Sequence, residues 1–224
     1  MSERTSNLIG GASGLAAMLA TQLGFVVATH GTPGLGASDK QIADFVGQSS
    51  ARFYAGGFLD LLGFVLFVVF AGRLWAILRR AEASDGWLST TALGAALAAM
   101  AVAISGHLSA QGAAFYTGGH GAGARTVATL LDLGAFAQLS SGMLLAVFLA
   151  ATAVVVLRHA ALPRWLGWFA ALVAIVFPPT LPFPNDLADL PVMLLVLWVV
   201  SASVVLLRRR EDALPAPAAV HAAA

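Results

Sequence analysis

The run from Arg125 to His159, RTVATLLDLGAFAQLSSGMLLAVFLAATAVVVLRH, is apolar throughout, holds one carboxylate, Asp132, and closes on a basic pair. A helix that is apolar on every face over such a length has no place in a small soluble domain, whereas a bilayer accommodates it. Similar runs recur along the chain. Charged residues make up 10% of the 224 residues, against about 25% in soluble domains. The expected fold is therefore all-α, a polytopic membrane helix bundle of six transmembrane helices in the cell membrane. Such a bundle uses nearly the whole length. It leaves a polar N-terminal tail (1–7), one transmembrane domain (8–210) and a C-terminal tail (211–224) with the composition of disorder. Net charge is +1, which gives no field for nucleic acid. Cysteine is absent, which excludes disulfides, thiolate metal sites and cysteine nucleophiles.

The first span reads from Leu8 to Thr29. It is longer than a signal-peptide core and lacks a small-residue cleavage site, so it is read as a retained helix. Gly10 and Gly14 have the spacing of close helix approach, through plain packing or through docking of a second helix. Ser38-Asp39-Lys40-Gln41 reads as a capping box. It opens a short interfacial helix, with Ile42, Phe45 and Val46 on one face, that runs into a second span over Arg52 to Leu78. The third span starts at Trp87, reaches His107 and ends near Gln111, before a loop rich in glycine around Gly118 to Gly123. The opening run is the fourth span. The fifth starts at Pro163, which suits a first helical turn, and ends at Phe177; the sixth covers Pro191 to Leu207. Pro178 and Pro179 have no N–H to donate, so a helix break is expected there. That break either lines a polar vestibule or rests on the headgroups.

Lysine and arginine fix the expected orientation. Arg4, Arg73, Arg79, Arg80, Arg158, Arg164, Arg208, Arg209 and Arg210 fall on one side, and Lys40, Arg52 and Arg125 on the other. That imbalance places both termini in the cytoplasm.

Three stretches carry a likeness: SDKQIADFVGQSSARFYAGGFL, LLDLGAF and, most specifically, LRHAALPRWLGW. On these the chain resembles six-span integral membrane proteins of unknown function, of the bacterial, actinobacterial type. The resemblance implies the six-helix architecture. It implies no reaction, cofactor or catalytic residue.

Ionisable groups at membrane depth suggest function by default. From Arg158 back to Asp132 is about 39 Å along a helix, from Arg79 back to Asp60 about 28 Å, and from Trp87 forward to His107 about 30 Å. Asp60, His107 and Asp132 thus share a level toward the outer boundary, with Arg52 and Arg125 one to two turns above. A weak echo points the same way: Leu59-Asp60-Leu61, Leu131-Asp132-Leu133 and Ala188-Asp189-Leu190 each open a span that runs inward. The candidate ligand-binding residues are Asp60, His107, Asp132, Arg52 and Arg125. The candidate metal ligands are His107, Asp60, Asp132 and His120, although no local spacing such as HExxH supports them. No cofactor is expected.

Three functional classes follow. One is a binding or permeation module for a small ligand, lipid or ion, with an outer-facing polar pocket. The second is a structural or partner subunit that docks another membrane protein through the small residues of the first span or through Gln138, Ser140, Ser141 and Gly142. The third is a membrane-embedded, metal-dependent lipid hydrolase. Each of these residues also has a purely structural reading, as a cap, a packing hydrogen bond or a group satisfied by interfacial water.

Overall fold

The computed structural model describes residues 2–30, 38–82, 85–180 and 189–209, and every described element is helical. In order these are α1 (Glu3–Thr29), α2 (Asp39–Glu82), α3 (Trp87–Val102), a π-helical segment (Ala103–Leu108), α4 (Ser109–Gly119), α5 (Ala124–His159), α6 (Arg164–Thr180) and α7 (Asp189–Arg208). Five spans are long and apolar enough to cross a membrane: α1, α2, the α3–π–α4 unit, α5 and α7. Helix α6 is apolar but shorter. It still makes a full pass of the bundle. Glu3, at the start of α1, and Arg209, just past α7, line one cavity, so the bundle is traversed an even number of times.

The boundaries depart from the sequence reading at several points. Helix α1 begins at Glu3, inside the stretch taken as a polar tail, because Ser2 caps it by accepting from Thr5 N–H at 3.2 Å. The capping box forms as expected: Ser38 N–H donates to Gln41 Oε1 at 2.8 Å, and Gln41 N–H donates to Ser38 Oγ at 3.4 Å. The helix it opens is not separate from the second span. The two form one 44-residue helix. The third span runs past Gln111 to Gly119, so Gly118 and Gly119 are helical and the loop is confined to 120–123. Helix α6 continues through Pro178 and Pro179 to Thr180 rather than stopping at Phe177. The PPTLPFP reading beyond Thr180, and the proposed C-terminal tail, lie outside the described residues.

Glu82 joins α2 to α3. Gly86, the residue before α3, has no side chain to cap with and sits at φ +64°. The Glu82 carboxylate accepts instead, from Leu88 N–H at 3.1 Å and from Ser89 N–H at 2.9 Å. Two helix-end donors that a lipid-facing turn would leave unsatisfied are thereby covered.

Two separate hydrophobic cores hold the bundle. The larger lies toward the end that carries Glu3, and it includes Phe70 and Leu74 of α2, Phe148 and Leu149 of α5, and Trp198 of α7. Trp198 is fully buried, packs edge-on to Phe148 at 5.7 Å between ring centroids, and donates from Nε1 to Leu166 O at 3.0 Å. The smaller core lies toward the opposite end and consists of Val46, Phe53, Ala114, Phe115 and Val127. There the rings of Phe53 and Phe115 stack at 4.1 Å.

Helix α1 packs mainly on α2, and glycine sets the separation. A Cβ on Gly56 would stand 2.6 Å from Gly24 O and 2.8 Å from Ala28 Cβ. Only small residues permit backbones this close. The N-terminal glycines of α1 face the chain itself. Gly10 abuts Arg73 of α2, Gly11 abuts Leu207 and Ser203 O of α7, and Gly14 abuts Phe70 and Ser203. The small-residue face proposed for docking a partner is filled from within. Substituting Gly14→Leu should therefore destabilise the fold by about 1–3 kcal/mol. Gly72, with nothing within 4 Å of its would-be Cβ, should tolerate Gly72→Ala or gain up to about 1 kcal/mol from it. Thermal unfolding in detergent checks both, and equal behaviour of the two variants would contradict the packing described.

Candidate functional site

Asp60, His107 and Asp132 sit in the gap between the two cores. On α2 the smaller core ends at Phe53 and the larger begins at Phe67. On the α3–π–α4 unit the corresponding limits are Ala114 and Met100, and on α5 they are Val127 and Leu145. The stacked Phe53–Phe115 pair and Val127 share one layer. Measured from it at 1.5 Å per residue, Asp60 lies about 10 Å inward, His107 about 12 Å and Asp132 about 8 Å. The three occupy one polar waist. They do not converge within it.

Asp60 is half-buried in the seam with α1, where its Oδ1 would stand 2.5 Å from a Cβ on Gly24. Any side chain at position 24 would push the carboxylate out of the seam. Among the described residues the Asp60 carboxyl has no hydrogen-bond or ion-pair partner. The ion pairs of Glu3 with Arg73 and Arg80 do not involve it.

His107 faces a different neighbour. Its Nδ1 lies 3.1 Å from Gly134 O of α5. A carbonyl only accepts, so Nδ1 carries the proton and Nε2 is left as the acceptor in the neutral ring. The ring owes this aim to the π-helical segment, whose wider turn inserts an extra residue between α3 and α4. Gly106 makes the contact close: a Cβ there would collide with Ala137 Cβ. A Cβ on Gly134 would in turn stand 3.4 Å from Gln111 Cγ.

Asp132 is exposed on α5, beside the exposed Leu133 and Phe136. Arg52 turns away from Asp60, donating to Ser49 Oγ at 2.9 Å and to His30 O at 3.4 Å. Arg125 is exposed at the start of α5. His120 stacks on Tyr116 at 4.3 Å and its Nδ1 lies 2.7 Å from Tyr116 O, in the turn after α4. Among the described residues no three histidine, aspartate or glutamate side chains are grouped closely enough to hold a metal ion. The lipid-hydrolase reading has no metal-ligand grouping to stand on there.

Sequence reasoning found the depth of these groups and missed their azimuth. Gly24, Gly106 and Gly134 decide which neighbour each polar side chain meets. Their signal in the sequence is only a glycine inside an apolar run, and the chain has 23 glycines. Sequence reasoning also treated the arginines at the Glu3 end as topology markers alone. Two cavities open at the arginine-rich end: one of about 240 Å³ between Glu3, Arg80, His159 and Arg209, and one of about 590 Å³ beside Arg164, Arg208 and Arg209.

The architecture defines a class: a multi-pass integral membrane protein of the cell membrane, all-α. No family model, curated protein or solved structure matches the chain. The likeness carried by LPRWLGW therefore reaches no further than the membrane bundle itself.

If the π-helical segment exists to aim His107 at α5, His107→Ala should cost about 0.5–1.5 kcal/mol, the usual range for a hydrogen bond between membrane helices. Chemical unfolding in mixed micelles measures it. An unchanged midpoint would show that the bond to Gly134 O contributes nothing.

Proposed function

We propose that the chain is a membrane binding or permeation module for a small ligand or ion, with the Asp60 carboxylate as its primary contact. The observation that carries this reading is the half-buried Asp60 in the α1–α2 seam, without a protein partner among the described residues. A carboxylate inside a membrane helix pair is costly unless a cation, a proton or water compensates it. Asp60 also lies at the one depth where neither hydrophobic core seals the bundle. His107 and Asp132 add polar groups at that depth, on other faces. In this reading the arginine-rich end faces the cytoplasm, as the positive-inside bias requires. Asp60 then lies toward the outer half, open to ligand from outside the cell.

Ligand-linked stability tests the reading. A cation that occupies the site at about 100 times its dissociation constant should raise the unfolding free energy by about 2.7 kcal/mol. Titrating sodium, potassium and a small organic ammonium ion against purified protein should reveal a saturable rise for one of them. Asp60→Asn should abolish that rise and leave the fold intact. A saturable rise that persists in Asp60→Asn would remove Asp60 from the site.

A further inference from the structure

The larger cavity at the arginine-rich end has a composition that neither the waist nor the topology requires. It is a cleft of about 590 Å³ formed by the turn between α5 and α6 together with the end of α7. Its basic wall is Arg164, Arg208 and Arg209, and its apolar floor includes Leu162, Pro163 and Val205. Among the described residues no carboxylate lines it. The smaller cavity beside it contrasts with this. There a carboxylate, Glu3, is part of the wall and pairs with Arg80 at 2.9 Å.

The cleft is built rather than accidental. Helix α5 ends at Ala160, which adopts a left-handed conformation with φ 51° and donates its N–H to Val156 O at 3.0 Å. That reversal turns the chain at once into Pro163 and α6. Arg209 Nη1 donates to Ala161 O at 3.2 Å, which ties the end of α7 across the turn. Arg164 and Arg208 are exposed on either side of it.

Depth identifies the occupant. Trp165 and Trp168 follow directly on α6 and are 53% and 68% exposed. Exposed tryptophans beside a basic helix end mark the headgroup level of a bilayer. Three guanidinium groups over an apolar floor at that level match a phosphate on an acyl-bearing molecule: the guanidinium fork fits phosphate oxygens, and the floor accepts the first methylenes.

We propose that this cleft binds the phosphate of an anionic phospholipid headgroup. The site is separate from Asp60 and stands or falls independently of it.

The test uses the full chain in nanodiscs of equal parts phosphatidylglycerol and phosphatidylcholine, with the lipid retained through purification counted by native mass spectrometry. Wild type should retain phosphatidylglycerol selectively. Each arginine at a membrane surface is worth about fivefold in affinity, so Arg164→Gln/Arg208→Gln should lower that enrichment by about 25-fold. Neither side chain has a hydrogen bond or ion pair among the described residues, so this variant should fold. Arg158→Gln removes an arginine from the same end but outside the cleft, and should leave retention near the wild-type level. Wild-type retention by the double variant overturns the proposal, as does an equal loss from Arg158→Gln. Millimolar inorganic phosphate provides the remaining arm. If it displaces the lipid completely, the cleft is a site for soluble phosphate and the lipid assignment is wrong; if the lipid stays, the acyl-bearing molecule is the ligand.

Discussion

A bilayer offers no water to a polar side chain, so each such group must be satisfied by protein, by an ion or by a path for water. That constraint organises this molecule. Two hydrophobic cores close the bundle near its ends, and the chain leaves its membrane-depth ionisable groups to the level between them. His107 solves the problem locally with a carbonyl on α5. Asp132 is exposed on α5. Asp60 is half-buried without a partner among the described residues, which is why it is proposed as the primary contact.

The arginine-rich end obeys the same constraint differently. Arg73 reaches Asn7 Oδ1 at 2.9 Å from Nε and also pairs with Glu3, so the start of α1 is pinned to α2 by charge. This explains why α1 begins at Glu3 and why its first glycines lie against α2 and α7. The Gly10 and Gly14 pair therefore closes the bundle on itself. The arginines across the turn into α6 have no such acid among the described residues and line an open cleft.

Much of the fold was legible because the bilayer imposes it. Apolar run length gave the helices, and lysine and arginine counts gave a common end for Glu3 and Arg209, as the shared cavity requires. The capping box at Ser38 was readable because its two partners lie three residues apart. That helix was read as a short interfacial one running into the second span, and the two form a single helix in which Gly56 lets α1 approach. The two prolines were read as a break after Phe177, but they lie in the last turn of α6, which ends at Thr180. Of the site, depth was legible and direction was not. Depth follows from counting residues along one helix, whereas direction depends on which glycine of another helix stands opposite. The π-helical turn that aims His107 leaves no mark in AISGHL at all.

The central claim is that water reaches the level between the two cores. The natural sequence has no cysteine, so single introduced thiols report one position each. Gln111 and Gln138 lie at that level beside Gly134 and Ala137, whereas Val147 of α5 is 44% exposed at the level of the larger core, where only lipid would meet it. Thiolate forms only in water, so labelling by a charged maleimide measures hydration. The account predicts rapid labelling of Gln111→Cys or Gln138→Cys and none of Val147→Cys. If both glutamine positions are as inert as Val147→Cys, the level is dry and the role assigned to Asp60 is wrong.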